Sequence, residues 1–139
     1  MQTDNSLVQR FFDLAFNQGD LGIIDELVAA DGAISSVSWG SSTSRTGLKQ
    51  LIAAFRIAFP DLHSTVEDEI REGGKLAACW TMRGTHLGAY QGNPPTGRPV
   101  VVQGMLYAHT ENGRIVAGWI LVDQIGILQQ LGIVPPTRN

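Results

Sequence analysis

Asp123 is the carboxylate in this sequence that its surroundings explain least. It follows the apolar run 119–122, and the chain becomes apolar again at Ile125. A carboxylate among apolar residues loses hydration at a cost in free energy, unless a hydrogen bond or a chemical role uses its charge. Three interpretations follow: Asp123 caps the helix after it, lies on the solvated surface, or is the acid/base of an enclosed pocket.

Other reactive side chains have simpler explanations when each is taken alone. His63, His86 and His109 are consistent with ordinary solvated histidines, and Cys79 with a small buried apolar residue. No serine, cysteine or threonine lies in a recognisable nucleophile motif, and no glycine-rich loop of the phosphate-binding type occurs. A three-histidine metal site is arithmetically possible, but the histidine spacing is not typical of one, so we expect no metal.

Composition limits the class of protein. A chain of 139 residues, 43% hydrophobic and 17% charged, fits one globular domain over 1–139 with a substantial core. The net charge is −3 and the basic residues are scattered, which disfavours nucleic-acid binding. The single cysteine excludes an internal disulfide. Without a secretory signal or an apolar run of about 20 residues, we expect a cytoplasmic protein with no membrane contact.

Helices are predicted in the first half of the chain. Apolar residues at helical spacing predict one helix over 5–18. They also predict a second, short helix that ends at Asp31–Gly32 and carries on one face Leu21, Ile24, Leu27 and Val28. A short strand is predicted over 33–39. Thr46 is the expected cap of a third helix, which stops before Pro60.

Long strands are predicted in the second half. Gly73–Gly74 and 111–113 are hairpin turn signals, and a Gly- and Pro-rich segment separates the two hairpins. Helices followed by an antiparallel meander indicate an α+β fold, with the N-terminal helices on one face of a strongly curved antiparallel sheet. The predicted strands are 62–72, 75–86, 99–109 and 114–123, followed by a short C-terminal helix over 124–131.

The last turn decides which side chains accompany Asp123, because residues paired across antiparallel strands share a face. A two-residue turn at Asn112–Gly113 places Asp123 opposite Val102, on a face with Gly104, Leu106 and Ala108. A three-residue turn over 111–113, with Gly113 in a bulge, places it opposite Val101. In that second register Asp123 shares a face with Gln103, Met105, Tyr107, His109 and Trp119.

The second register is favoured because it separates polar from apolar side chains. It leaves the other face almost wholly apolar, as expected for a strand pair with a ligand cavity on one side. If the apolar face lies outside, it also suggests homo-oligomers formed through the sheet. The residues of the apolar face are Val100, Val102, Gly104, Leu106, Val116, Gly118, Ile120 and Val122.

Three stretches together resemble the SnoaL-like polyketide cyclase family, within the NTF2-like and ketosteroid-isomerase-like group. They are FPDLHSTVEDEI (59–70), WTMRGTHLGAYQGNPPTGRPV (80–100) and NGRIVAGWILVDQIGILQQLG (112–132). The family pattern of G-T-H-x-G, then G-x-P-P-T-G-R, then W-x-x-x-D and a helix ending Q-L-G is matched in order and spacing. The resemblance covers 46–132 well and the N-terminal helices in layout.

The resemblance implies a cone-shaped α+β barrel that binds an apolar, often aromatic polyketide without a metal or cofactor. Typical members close a ring by intramolecular aldol condensation, with the aspartate of W-x-x-x-D as acid/base. That role maps onto Asp123, and a supporting histidine of the neighbouring strand maps onto His109. The candidate substrate-binding side chains are Trp119, Tyr107, Gln103, Met105, His86 and Phe16.

Three hypotheses follow for function. The first is a cofactor-independent acid/base enzyme that closes a ring of a polyketide-like aromatic molecule, with Asp123 central. The second is a related hydroxylase or hydrolase, in which Asp123 or His109 activates water or an oxygenated substrate. The third is a non-catalytic small-molecule-binding module in which Asp123 only caps its helix. A homodimer or homotetramer is expected under all three.

Overall fold

The computed structural model describes residues 6–36 and 41–133, without the side chains of residues 41 and 42. Helices come first and long strands second, as predicted. The last part of the predicted strand 33–39 lies outside the described residues. The elements are α1 (Leu7–Arg10), continued by π-helical turns over Phe11–Asn17, a 3₁₀ turn (Leu21–Ile23), α2 (Ile24–Leu27), β1 (Val28–Ser36), β2 (Ser41–Thr43), α3 (Arg45–Ala58), β3 (His63–Glu72), β4 (Lys75–Thr85), β5 (Pro99–Glu111), β6 (Arg114–Val122) and α4 (Gln124–Gln130).

The described strands form one curved sheet in the order β2-β1-β6-β5-β4-β3. Neighbouring strands are antiparallel except β1 and β6, which run parallel. The predicted α+β fold, with helices on one face of a curved sheet, is confirmed, and the sheet stays open at its edge strands β2 and β3. Strands β3 to β6 lie within two residues of the predicted bounds.

The second predicted helix is shorter than expected. It ends at Leu27, and Val28 already begins β1, where it pairs with Ile115 of β6. A buried valine is compatible with either a strand or a helix. Val28 is in a strand because its backbone pairs in parallel with β6. β2 pairs with the end of β1, in a segment for which no strand was predicted.

An aromatic core fills the space between the helices and the sheet. The π-helical turns direct Phe11, Phe12 and Phe16 inward, and Phe12 lies against Trp80 of β4 with ring centroids 5.2 Å apart. Each buried phenylalanine contributes roughly 1.5–3 kcal/mol through burial. The helices are therefore held on the sheet mainly by aromatic packing.

Polar contacts fix the end of the π-helical turns. The Arg56 guanidinium donates to the carbonyls of Phe16 and Asn17. The Asn17 side chain donates to the Ser64 carbonyl at 2.9 Å and accepts from the Ser64 backbone N–H at 2.7 Å. The first helix is thus tied to both α3 and β3.

Candidate active site

The hairpin between β5 and β6 turns through two residues. Asn112 and Gly113 have φ of 54° and 77°, as in a type I′ turn, where both central residues have positive φ. Glu111 pairs with Arg114 on either side of them. The predicted three-residue turn is therefore wrong.

A bulge in β6 nevertheless produces the predicted face. Val116 is an extra residue of β6 without a partner in β5. Because a bulge and a longer turn each add one residue, both reverse the alternation of side chains beyond them. The Asp123 N–H donates to the carbonyl of Gln103 at 3.4 Å, so Asp123 lies opposite Gln103 instead of Val101.

Four successive cross-strand pairs share the face of Asp123, which we call the outer face. This composition confirms the predicted face. From the end of β6 towards the turn, the pairs are Gln103–Asp123, Met105–Leu121, Tyr107–Trp119 and His109–Ala117.

The outer face is turned to solvent. The exposed fractions of Met105 and Leu121 are 51% and 47%, whereas Leu106 and Ile120, on the opposite face, are exposed by 2% and 5%. Two expectations are thereby corrected: the polar face does not line an enclosed cavity, and the apolar face is the core beneath the helices. The reason is that the helices present almost only apolar side chains, which the apolar face must cover.

Asp123 caps α4 and lies on the surface. Its Oδ1 accepts the backbone N–H of Gly126 at 2.9 Å. A Cβ atom on Gly126 would lie 2.2 Å from Asp123 Oδ2, so glycine leaves room for the carboxylate. Oδ2 has no hydrogen-bond partner among the described residues. The cap therefore orients the carboxylate and leaves one oxygen available.

An open cleft of about 730 Å³ lies beside Asp123. The carboxylates of Asp123 and Glu67 are its charged groups, and no lysine or arginine of the described chain lines it. Its walls are otherwise apolar or neutral. The lining residues are Glu67, Cys79, Trp80, Thr81, Gln103, Gly104, Met105, Leu121, Val122, Asp123, Gln124 and Ile125.

Gln124, which the sequence analysis did not single out, is held in place at this cleft. Tyr90 donates from its hydroxyl to Gln124 Oε1 at 2.8 Å, and Gln124 Nε2 donates to Gln91 Oε1 at 2.9 Å. Burial raises the pKa of Tyr90 to about 12, so its hydroxyl stays a donor at neutral pH. The segment A-Y-Q-G (89–92) contains both partners, Tyr90 and Gln91. The sequence alone does not show that this segment contacts α4, because that contact depends on the fold.

His109 belongs to an exposed aromatic cluster on the same face. Tyr107 and Trp119 stack with ring centroids 5.5 Å apart, and the Tyr107 hydroxyl lies 3.0 Å from His109 Nε2. Six residues of β5 separate His109 from Gln103, which is about 20 Å along an extended strand. The structure therefore does not bring His109 into contact with Asp123.

His86 is fully buried and lies away from the cleft. Its Nδ1 accepts the backbone N–H of Thr96 at 3.1 Å, and its carbonyl accepts the N–H of Gly97 at 2.8 Å. Since a backbone N–H can only donate, Nδ1 carries no hydrogen in this arrangement. His86 thus anchors the loop 87–98 from inside the protein.

Phe16 also lies outside the cleft, beside a void of about 20 Å³ in the core. The void has room for about one water, but it offers a water too few polar partners to hold it. None of its lining residues carries a titratable group. They are Phe11, Phe12, Phe16, Leu51, Phe55, Trp80, Met82, Val102, Ile120 and Val122.

Two further findings concern metals and membranes. Within residues 6–36 and 41–133, no three His, Cys, Asp or Glu side chains are grouped so that they could hold a metal ion. Across the described part of the chain, every helix falls short of the length and apolarity that a bilayer crossing requires.

Comparison with known proteins identifies the family. IdmH, a candidate polyketide cyclase from Streptomyces antibioticus, is 32% identical, with 91% of this chain and 96% of IdmH covered and a TM-score of 0.81. AclR, a candidate hydroxylase from Streptomyces galilaeus, is 26% identical over 96% of this chain and 83% of AclR, with a TM-score of 0.83. A SnoaL-like candidate cyclase from Jannaschia sp. CCS1, at 19% identity, covers 98% of this chain and 99% of its own with a TM-score of 0.83, and supports the fold alone. Among curated proteins, none matches this chain. Residues 6–131 match the SnoaL-like polyketide cyclase family, and the chain belongs to that family.

Proposed function

We propose that this protein is a cofactor-independent acid/base enzyme that acts on a polyketide-like aromatic molecule, most directly by aldol-type ring closure. The observation that carries the proposal is the position of Asp123, which lies at the open cleft with one carboxylate oxygen available. Family membership supports a small polyketide substrate.

The chemistry needs one proton acceptor and one place for negative charge. Asp123 removes a proton from the carbon next to a substrate carbonyl, which gives an enolate. The enolate carbon attacks a second carbonyl of the same molecule, forming a carbon–carbon bond and an alkoxide. The protonated Asp123 then returns the proton to the alkoxide, so no external reactant is consumed.

The outer face extends the cleft with an apolar and then an aromatic surface. From the Gln103–Asp123 pair to the Tyr107–Trp119 pair is four residues, or about 13 Å along the strands. Met105 lies between them and is half exposed. A planar, multi-ring molecule can lie along this surface, its far rings stacked on Tyr107 and Trp119 and its reacting carbonyl near Asp123.

Exchange of carbon-bound hydrogen tests the proposal without knowledge of the natural substrate. The probe is 1-tetralone, an aromatic bicyclic ketone, whose α-protons are replaced by deuterium in D₂O and followed by NMR. We expect the protein to accelerate exchange, and Asp123→Asn to lose about a hundredfold or more of that acceleration. Full acceleration in Asp123→Asn would overturn the role of Asp123.

Two alternative functions are each favoured by one observation. The likeness to AclR favours ring hydroxylation, in which Asp123 or His109 activates water or an oxygenated substrate. The capping bond of Asp123 favours a module that only binds its ligand. A binding module would protect Cys79, which lines the cleft, from thiol reagents when ligand is present, yet would show no exchange in wild type or Asp123→Asn.

We also propose that the protein forms a homodimer, or a tetramer of such dimers, in which the partner covers the aromatic end of the outer face and the far rings of the substrate lie between the two protomers. Tyr107, Trp119 and Met105 are exposed by 40%, 39% and 51%, and exposed apolar patches of this kind usually mark an interaction site. Sedimentation of wild type and Trp119→Lys tests this: we expect the variant to be monomeric, and an unchanged mass would contradict the interface.

A further inference from the structure

Among the described residues that line the cleft, only Gln124 has a side-chain amide whose oxygen and nitrogen both make hydrogen bonds to other side chains. Its oxygen accepts from Tyr90 and its nitrogen donates to Gln91, at 2.8 and 2.9 Å. Both partners belong to the loop 87–98, whereas Gln124 begins α4 next to Asp123. The loop therefore orients a group that lines the cleft.

The orientation leaves one hydrogen-bond donor free. A primary amide nitrogen carries two hydrogens, and Nε2 of Gln124 uses one of them on Gln91. The second has no acceptor among the described residues. Since Tyr90 is buried and occupies Oε1 as a donor, the amide cannot turn over without losing that bond.

A fixed donor suits the negative charge that proton abstraction creates. Donors held in place before the reaction stabilise a developing oxyanion without reorganisation. Gln103 also lines the cleft, but its side chain makes no hydrogen bond among the described residues and must be ordered by the substrate itself. Gln124 is therefore the better placed of the two amides.

We propose that Gln124 donates from Nε2 to the substrate carbonyl whose α-carbon faces Asp123, and that Tyr90 is the positioning residue that holds it. This inference rests on the proposed function and adds the electrophilic partner of Asp123. It also defines the ligand class. With two carboxylates and no lysine or arginine among the described residues of its lining, the cleft takes a neutral ketone or phenol and rejects a carboxylate.

The test is the infrared band of the carbonyl in ¹³C-labelled 1-tetralone bound to the full chain. A hydrogen bond to the carbonyl lowers its stretching frequency, so we expect a red shift in wild type. Gln124→Met, which keeps length and removes the donor, should lose the shift, and Tyr90→Phe should weaken or broaden it. Gln50→Met, an exposed position of α3 outside the cleft, is the matched control and should keep it.

The kinetic arm uses the exchange assay, in which Gln124→Met is expected to lower the rate about 10²–10³-fold, as for loss of one oxyanion donor. Asp123→Asn should keep the red shift while losing exchange, so failure of the base and failure of the donor are distinguishable. A red shift that survives in Gln124→Met would overturn the inference. So would failure of 1-tetralone to bind, or equal binding of a carboxylate analogue, 1-naphthoate.

Discussion

The carboxylate of Asp123 accepts a hydrogen bond from the backbone N–H of Gly126 at 2.9 Å, so the proposed acid/base is also the N-cap of α4. Asparagine caps about as well as aspartate, whereas replacement by alanine typically costs about 1 kcal/mol. We expect Asp123→Asn to unfold near the wild-type midpoint and Asp123→Ala to be less stable by about that amount. Denaturant unfolding checks it, and equal stability of all three proteins would show that the cap contributes nothing.

Gly104 is required by the ring that lies over it. A Cβ atom there would lie 2.2 Å from Cζ2 of Trp80, whose buried indole cannot move freely. We expect Gly104→Ala to lower the free energy of unfolding by about 1–3 kcal/mol through overpacking. Gly22→Ala is the control, since a Cβ at this exposed position has no neighbour closer than 3.4 Å.

Alkaline pH should destabilise the protein through Tyr90. Burial raises the pKa of this phenol from 10.0 to about 12, so between these values the unfolded chain loses a proton that the folded protein keeps. Stability is then fully present below pH 10 and falls as pH rises towards 12. The free energy of unfolding, measured across this pH range, should fall more steeply for wild type than for Tyr90→Phe. An equal pH dependence in the two proteins would contradict the raised pKa of Tyr90.

Acid should weaken the contact between Asp61 and Thr85. The backbone N–H and the hydroxyl of Thr85 both donate to the Asp61 carboxylate at 2.8 Å, and these bonds lower its pKa from the ordinary value. The stabilisation is present above pH 3.8 and is lost as pH falls through the lowered pKa. The free energy of unfolding, measured by denaturant titration at acidic pH, should decline less steeply for Asp61→Asn than for wild type. Thr85→Val, which keeps the N–H donor, should show an intermediate decline.

His86 should control access to the loop 87–98. Replacement by phenylalanine removes the acceptor of the Thr96 N–H, and loss of such a hydrogen bond costs about 0.5–1.5 kcal/mol. We expect the loop to open and chymotrypsin to cleave after Tyr90 faster in His86→Phe than in wild type. Thr96→Val retains the backbone donor and should resist cleavage. Equal cleavage rates in all three would mean that the loop is held elsewhere.

The outer face was predictable because polarity alternates along β5 and β6. Polar or aromatic side chains occupy Gln103, Tyr107 and His109, with Met105 between them on the same face, and that alternation survives whether the added residue lies in the turn or at Val116. The exact partner of Asp123 was not predictable, since turn and bulge differ by two positions along β5. Local sequence carries no signal strong enough to choose between them.

Which face would be buried could not be decided from the strands alone. The N-terminal helices settle it, because their phenylalanines need an apolar surface and the face with Val102 and Ile120 provides it. The contact of Tyr90 with Gln124 was missed for a similar reason. It joins residues 34 positions apart in sequence, through a loop whose course depends on the buried His86.

The alternation along β5 has a consequence for how this protein can evolve. From Val100 to Ala108 the even-numbered side chains are buried in the core, and from Val101 to Tyr107 the odd-numbered ones are exposed. A substitution on one side therefore leaves the other nearly untouched. Under the proposed function, ligand preference can change through substitutions at the odd positions while the even positions keep the chain foldable, so new substrates can be sampled without loss of the scaffold.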